Sequence, residues 1–254
     1  GEPTMLSDQD FMRYSRQLLL EEIGPQGQEK LSTSSVLIVG LGGLGTPAAM
    51  YLAAAGIGKI ILADGDRLHI SNLQRQILYR TDDLGRSKAE TAKHHLRELN
   101  PQVELITLPE HLECASLAKA IAHADLILDC SDNMPTRQAV NAACVAQAKP
   151  LISGSAVGFG GQLMVIEPPY DQGCYRCLWP DDIEPQRNCR NAGVLGPVVG
   201  VIGTLQALEA IKMLAGIPSA LSGKLRLFDG RQQSWRTFSL KRSPTCPVCG
   251  GIAA

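Results

Sequence analysis

The sequence has 254 residues, 44% of them hydrophobic, with 25 Gly and 15 Pro. This suits one large α/β domain, or a domain with a small appendage, and excludes a disordered or fibrous chain. Lys and Arg number 24 against 25 Asp and Glu, and aromatics make up 4%, so there is neither a cationic excess for phosphate backbones nor rings for base stacking, and nucleic-acid binding is not expected.

In chain order, no basic segment followed by an apolar one opens the sequence, and the expected location is cytoplasmic. Val36 to Val39 reads as a strand, Gly40 to Gly45 as a tight glycine turn, and Thr46 to Ala55 as a helix with Thr46 as N-cap, Pro47 at its first position and Gly56 as its stop. Lys59 to Asp64 is a second strand. Ser71 to Leu78 and Ser87 to Leu99 read as helices, the latter closed by Asn100-Pro101. Strands at Val103 to Leu108 and Asp125 to Asp129 flank a helical stretch near Leu117 to Ala122. Met134 to Ala148 is a further helix and Pro150 to Ser153 a further strand. The alternation predicts a mainly parallel sheet with helices on both faces.

From Gly158 the pattern changes. Gln162 to Glu167 begins an antiparallel portion, and Pro180 to Arg190, rich in proline and charge, reads as a mobile loop. The most apolar stretch, Gly196 to Leu214, carries Gln206, Glu209 and Lys212. A buried or subunit-interface helix is expected there, with no membrane span. Strands at Lys224 to Phe228 and Ser234 to Leu240 precede the C-terminal Cys246-Pro247-Val248-Cys249.

The glycine turn offers backbone N–H groups and a helix N-terminus to phosphate oxygens, and Asp64, at a strand end about 20 residues on, is placed for ribose hydroxyls. That pair alone favours NAD and a Rossmann dehydrogenase. Against it stand Ser71 to Gln76 and Lys88, because a triphosphate about to lose pyrophosphate benefits from cationic donors such as Arg75 and Lys88. Taken singly, each is also a solvated helix-face charge. Asp132, at another strand's exit, is either a Mg²⁺ ligand or the N-cap of the following helix.

Of the 8 cysteines, Cys174/Cys177 and Cys246/Cys249 form two Cys-x-x-Cys pairs, the pattern of a closed structural Zn²⁺ site, with buried reduced thiols or redox pairs as the alternative. Cys189, between Arg187 and Arg190, is set for a lowered pKa in an exposed loop. Cys130 and Cys144 read as core, and His94-His95 as a solvated helix face.

Together, Arg13-Tyr14-Ser15-Arg16-Gln17, the glycine turn, Ser71 to Gln76, Asp129-Cys130-Ser131-Asp132-Asn133 and the two cysteine pairs resemble the ubiquitin-activating-enzyme-like adenylyltransferases over nearly the whole chain. Within that family (ThiF/MoeB/HesA) the chain is most similar to the ThiF type in Cys174-Tyr175-Arg176-Cys177-Leu178-Trp179-Pro180 and Arg187-Asn188-Cys189-Arg190. The sister MoeB type, serving molybdopterin synthesis, usually lacks the Trp-Pro continuation.

The resemblance implies one adenylation domain over 1–254, Rossmann-like, with a nucleotide-binding part at about 30–155 and an antiparallel, crossover-loop and zinc part at about 156–254. It implies ATP in place of NAD, with Gly42, Gly43, Asp64 and Asn133 at the nucleotide, Asn72, Arg75 and Lys88 around the triphosphate, and Asp132 near Mg²⁺. It further implies a homodimer in which Arg16 reaches the partner's ATP. The implied partner is a small ubiquitin-like sulfur carrier of the ThiS kind ending in Gly-Gly, serving thiamin thiazole synthesis. An acyl disulfide at Cys189 would be fed by a sulfur donor such as a cysteine desulfurase.

Overall fold

The computed structural model describes residues 6–251, and the Cys189 side chain lies outside the described atoms. Three short helices, α1 (Asp8–Arg13), α2 (Ser15–Leu18) and α3 (Gly24–Ser32), lead into β1 (Ser35–Val39), α4 (Gly45–Ala55), β2 (Lys59–Ala63), α5 (Lys88–Leu99) and β3 (Glu104–Leu108). The chain continues through α6 (Cys114–Ala122), β4 (Leu126–Asp129), α7 (Met134–Ala146) and β5 (Leu151–Val157). Next come β6 (Gly160–Ile166), α8 (Tyr175–Leu178), α9 (Cys189–Ala192), α10 (Gly196–Leu214), β7 (Lys224–Asp229) and β8 (Ser234–Ser239). One eight-stranded sheet runs β3-β2-β1-β4-β5-β6-β7-β8. It is parallel from β3 to β5 and antiparallel from β5 to β8, the mixed α/β architecture expected from the sequence.

Alternation along the strands makes both faces apolar, as a parallel sheet between helix layers requires. Val36, Ile38, Ile60 and Leu62 pack with α4, α5 and α10 in one core. Leu37, Val39, Ile61 and Ile127 pack with α6, α7 and the start of α8 in the other. Cys130 and Cys144 fall one in each core.

Local departures from the sequence reading have physical causes. Helix α4 starts inside the glycine turn with Leu44 as N-cap, and Thr46 is not the cap: its hydroxyl donates back to the Gly42 carbonyl at 2.6 Å. So early a start needs glycine, since a Cβ on Gly45 would collide with the Gly40 carbonyl oxygen. Ser71 to Leu78 is not an α-helix but a single 3-10 turn, Ile70–Asn72, followed by turns. His69 and Asn72 supply side-chain hydrogen bonds to that turn that compete with helix continuation. His95 is not a solvated face residue; its Nε2 meets the buried Asp83 carboxylate at 2.7 Å.

Helix α10 is long and apolar enough to cross a membrane by length and composition alone, yet it packs on α4, β5 and β6 within the fold. Its buried Gln206 reaches into the sheet, donating to the carbonyls of Asp129 at 2.9 Å and Ile152 at 3.1 Å. Gly154 on β5 leaves the room, because a Cβ there would strike the Gln206 amide. Gln206 therefore ties the junction of β4 and β5 to α10. Gln206→Leu keeps the bulk but strands those carbonyls, and should lower the unfolding free energy by roughly 1–3 kcal/mol in urea denaturation. A variant as stable as the parent would mean that the stitch contributes nothing.

Candidate active site

Strands β1, β2 and β4 end side by side, and the crossover direction reverses between β1 and β4, the position where open α/β sheets hold ligands. Above these ends lies a cleft of about 1160 Å³. That exceeds the ~300–1,000 Å³ of a typical small-molecule pocket and leaves space for a nucleotide and a peptide segment together.

The glycine turn forms one wall. The N–H groups of Gly42 and Gly43 make no hydrogen bond within the described residues, and the N-terminus of α4 behind them adds the positive end of a helix dipole. Leu41 fixes the turn from below, its N–H donating to Asp64 Oδ2 and its carbonyl accepting from the Tyr79 hydroxyl, each at 2.8 Å. Asp64 Oδ1 also accepts from the Asp66 N–H at 2.8 Å. Burial raises the Asp64 pKa against the pull of those N–H groups and the nearby Lys88 ammonium.

Asn72, Arg75 and Lys88 line the same cleft. The guanidinium of Arg75 rests on its own turn, bonded to the Ser71 carbonyl and the Gln74 side chain. Lys88 is buried, 6% exposed, in the first turn of α5, and its ammonium has no hydrogen bond or ion pair within the described residues. Sheltered so, a cation waits for an anion from outside the chain.

From β4, Asp132 and Asn133 reach the cleft. Asn133 is the N-cap of α7, accepting from the Thr136 N–H at 2.9 Å. The capping task lies with Asn133, and Asp132 keeps an exposed carboxylate whose one hydrogen bond among the described residues comes from Asn133 Nδ2 at 3.4 Å. Just before it, the buried Asp129 accepts from the Ser131 N–H and hydroxyl through Oδ1, while its Oδ2 has no partner among the described residues. Burial raises the Asp129 pKa, opposed by Ser131 and by the Arg137 guanidinium.

Among the cleft residues that the sequence reading did not single out are Arg137 and Glu184; Gln76, read only as part of its motif, has a buried Oε1 with no partner among the described residues. Arg137 stands one helical turn beyond the Asn133 cap, a spacing that points it to the same end of α7. Glu184 comes from the segment expected to be mobile, which lies across the cleft; its carboxylate accepts from the Met134 N–H at 2.6 Å. No local pattern announces that contact.

Two expected residues are not gathered into this cleft as described. Arg16 is exposed on α2 and does not line the cleft of its own chain. At Cys189 the structure describes backbone only, at the first position of α9 after the Asn188 cap, so its side-chain role lies outside the described atoms.

The two cysteine pairs do converge. Their sulfur atoms lie within 4.8 Å of one another, with Cys174 to Cys246 at 3.8 Å and Cys177 to Cys249 at 3.4 Å. Zn–S bonds of ~2.3 Å place tetrahedral sulfurs about 3.8 Å apart, so the four thiols fit zinc with no open position. The Asn141 amide donates to Cys174 Sγ and the Ser243 N–H to Cys177 Sγ, both at 3.4 Å, as second-layer donors to thiolates would. The cluster clamps the C-terminal segment to α8, whose Tyr175 forms part of the cleft wall.

The ThiF family model matches residues 14–248. The sulfur carrier protein ThiS adenylyltransferase of Escherichia coli (strain K12) is 61% identical over 98% of this chain and 99% of its own length. The molybdopterin-synthase adenylyltransferase of the same organism is 46% identical over 96% and 98%. Among solved structures, E. coli MccB with ATP is similar at a TM-score of 0.78 and 28% identity, over 94% of this chain and 73% of that one.

Proposed function

Because the chain belongs to the ThiF family, we infer that this cleft joins ATP to the C-terminal carboxylate of a sulfur carrier of the ThiS kind, for thiamin synthesis. The chain is an adenylyltransferase that uses ATP. The observation that carries the residue roles is the pairing of unbonded Gly42 and Gly43 N–H groups with a buried, unpaired Lys88 across one cleft. That arrangement suits a triphosphate better than the nicotinamide end of a dinucleotide, which is itself a cation when oxidised. The 61% identity to the ThiS enzyme against 46% to the molybdopterin enzyme favours the ThiS carrier.

In the reaction a carboxylate oxygen of the carrier's terminal glycine bonds to the α-phosphorus while the bond from that phosphorus to the bridging oxygen breaks. Pyrophosphate leaves, and an acyl-adenylate remains. The nucleophile is already ionised and needs no base; what it needs is alignment and relief of charge repulsion. Gly42, Gly43, Asp64 and Asn133 would seat the nucleotide, and Arg75 would swing from its own turn to join Asn72 and Lys88 at the triphosphate. Asp132, left free by the Asn133 cap, fits a Mg²⁺ ligand, and that ion would neutralise phosphate charge. The cysteine cluster would hold zinc as a clamp. In our reading the domain divides at about 155 into a nucleotide-binding part and a part for the carrier, loop and zinc. The described cysteines are free thiols, which suits the reducing cytoplasm we propose as its location.

Arg16 enters through a homodimer. Exposed Leu19 and Leu20 beside it, with Tyr51 on α4 and Val201 and Leu208 on α10, supply apolar surface for a second copy. Cys189 is proposed to carry a persulfide, received by exchange with a desulfurase-type donor. Its terminal sulfur would attack the acyl carbon and expel AMP, leaving carrier and enzyme joined through an acyl disulfide.

Four outcomes test this reading. Arg75→Ala and Lys88→Ala should each lower carrier-dependent pyrophosphate release by ~10²-fold or more. Mixing Arg16→Ala with Lys88→Ala subunits should restore about a quarter of the sites, since only the mixed dimer has one complete site; unaffected single variants, or no recovery on mixing, would defeat these roles. Purified protein should hold one zinc per chain, by about the stoichiometry of a closed four-cysteine site, and chelation should lower its Tm; a metal-free protein of equal Tm would refute the clamp. Cys189→Ser should keep adenylation within about threefold yet lose any reductant-sensitive conjugate with the carrier on non-reducing gels. If the parent protein forms none when given ATP, carrier and a persulfide donor, Cys189 has no such part.

A further inference from the structure

Arg137 is a charged side chain whose guanidinium the fold engages only in part, through the Ser131 carbonyl and the Tyr175 hydroxyl. It projects from the first turns of α7 into the cleft, where its Nη2 donates to the Ser131 carbonyl at 3.2 Å. Its Nε is buried without a partner, and no carboxylate stands within ion-pair distance of the guanidinium among the described residues. A buried donor left open costs stability, and a guanidinium carries a planar fork matched to a carboxylate. Asp129 senses its charge, but from beyond ion-pair distance, so that neighbour does not use the fork.

Its place within the cleft selects the anion. The glycine turn, Arg75 and Lys88 belong to the β1 and β2 side. Arg137 lies beyond Asp132, bonded to the residue next to it, and beside Tyr175 at the base of the overlying loop. On that side the cleft continues along β5 to β7, past Ser155, Gln162 and Leu227, a slot for an extended peptide. Other cations in the cleft, Arg187 and Arg236, are exposed. Among the described cations on this side of the cleft, Arg137 is the one with a buried open donor.

Resting on the function proposed above, we propose that Arg137 binds the terminal carboxylate of the incoming carrier and orients it toward the α-phosphorus. The contact has a second effect. It offsets the repulsion between that carboxylate and Asp132, and it satisfies the open Nε only when the carrier is in place.

The test uses the full-length protein, ATP and a ThiS-type carrier, with the carrier's isolated C-terminal tail peptide as inhibitor in free-acid and amide forms. For the parent enzyme the free acid should inhibit about tenfold better than the amide, as expected for a charge-assisted pair. Arg137→Gln should erase that preference and raise the carrier KM about tenfold or more while leaving the ATP KM within about twofold. Arg137→Lys, which keeps charge but not the fork, should fall between. Equal inhibition of the parent by acid and amide would overturn the proposal without any variant. So would an Arg137→Gln enzyme whose ATP KM rises while its carrier KM stays, which would give the arginine to the nucleotide. Failure of the parent to release pyrophosphate with the carrier would instead remove the adenylation reading on which both stand.

Discussion

Leu41 is the fixed point on which this site depends. Its side chain is fully buried in the core under the sheet ends, and its peptide is held at both ends, by the Asp64 carboxylate and the Tyr79 hydroxyl. Burial together with the charges of Asp64 and Asp83 pushes the Tyr79 pKa upward, so the phenol stays a donor. Next to the pinned Leu41, Gly42 and Gly43 line the cleft with N–H groups that no described residue engages. The same carboxylate that anchors the turn then stands ready at the end of β2 for a ligand. Fold and site share a single set of hydrogen bonds, which is how a glycine-rich segment becomes preorganised in place of merely flexible.

The antiparallel half is joined to this anchor by two stitches of different chemistry. Gln206 of α10 ties the backbone between β4 and β5, next to the strand end that presents Asp132. The cysteine cluster ties the C-terminal segment to α8 and so to Tyr175. Between them the loop crossing the cleft is held at its base through Gln138, whose amide donates to the Trp179 and Asp181 carbonyls at 2.7 and 3.1 Å, and at its middle by Glu184. Those contacts are few and polar. A segment held this way opens at less cost than one packed into the core.

How far the sequence discloses this depends on the range over which each feature is determined. The turn from Gly40 to Gly45, the acid at Asp64 and the strand alternation are local, and the sheet follows from them because each parallel strand must be buried on both faces. Ser71 to Leu78 misled because its apolar positions fit a helix, while His69 and Asn72 settle the backbone through side-chain hydrogen bonds that periodicity does not register. The capping role passed from Asp132 to Asn133, a one-residue matter of cap geometry that composition cannot decide. Arg137 and Glu184 gain meaning only from neighbours across the fold: Ser131 and Tyr175 for the first, the head of α7 for the second. Convergence of the cysteines was legible at a sequence separation of 72 residues because chelation is satisfied by residue type and pair spacing alone.

Charge balance ties the cleft to its chemistry. The described chain already places Asp64, Asp129 and Asp132 around the strand ends, two of them with pKa values raised by burial. On the adenylation reading a triphosphate and a carboxylate are then added to the same space, so the cleft must gather cations faster than its own carboxylates cancel them. On that reading Lys88 and Arg75 would lie on the phosphate side and Arg137 on the other. Neither side alone suffices, because charge must move from the nucleophile's oxygen to the departing pyrophosphate as the phosphorus changes partners. Cations at the triphosphate stabilise the charge that gathers on the departing pyrophosphate, whereas a cation on the opposite side aligns the carboxylate and offsets its repulsion from the phosphates, so the two sides do different work.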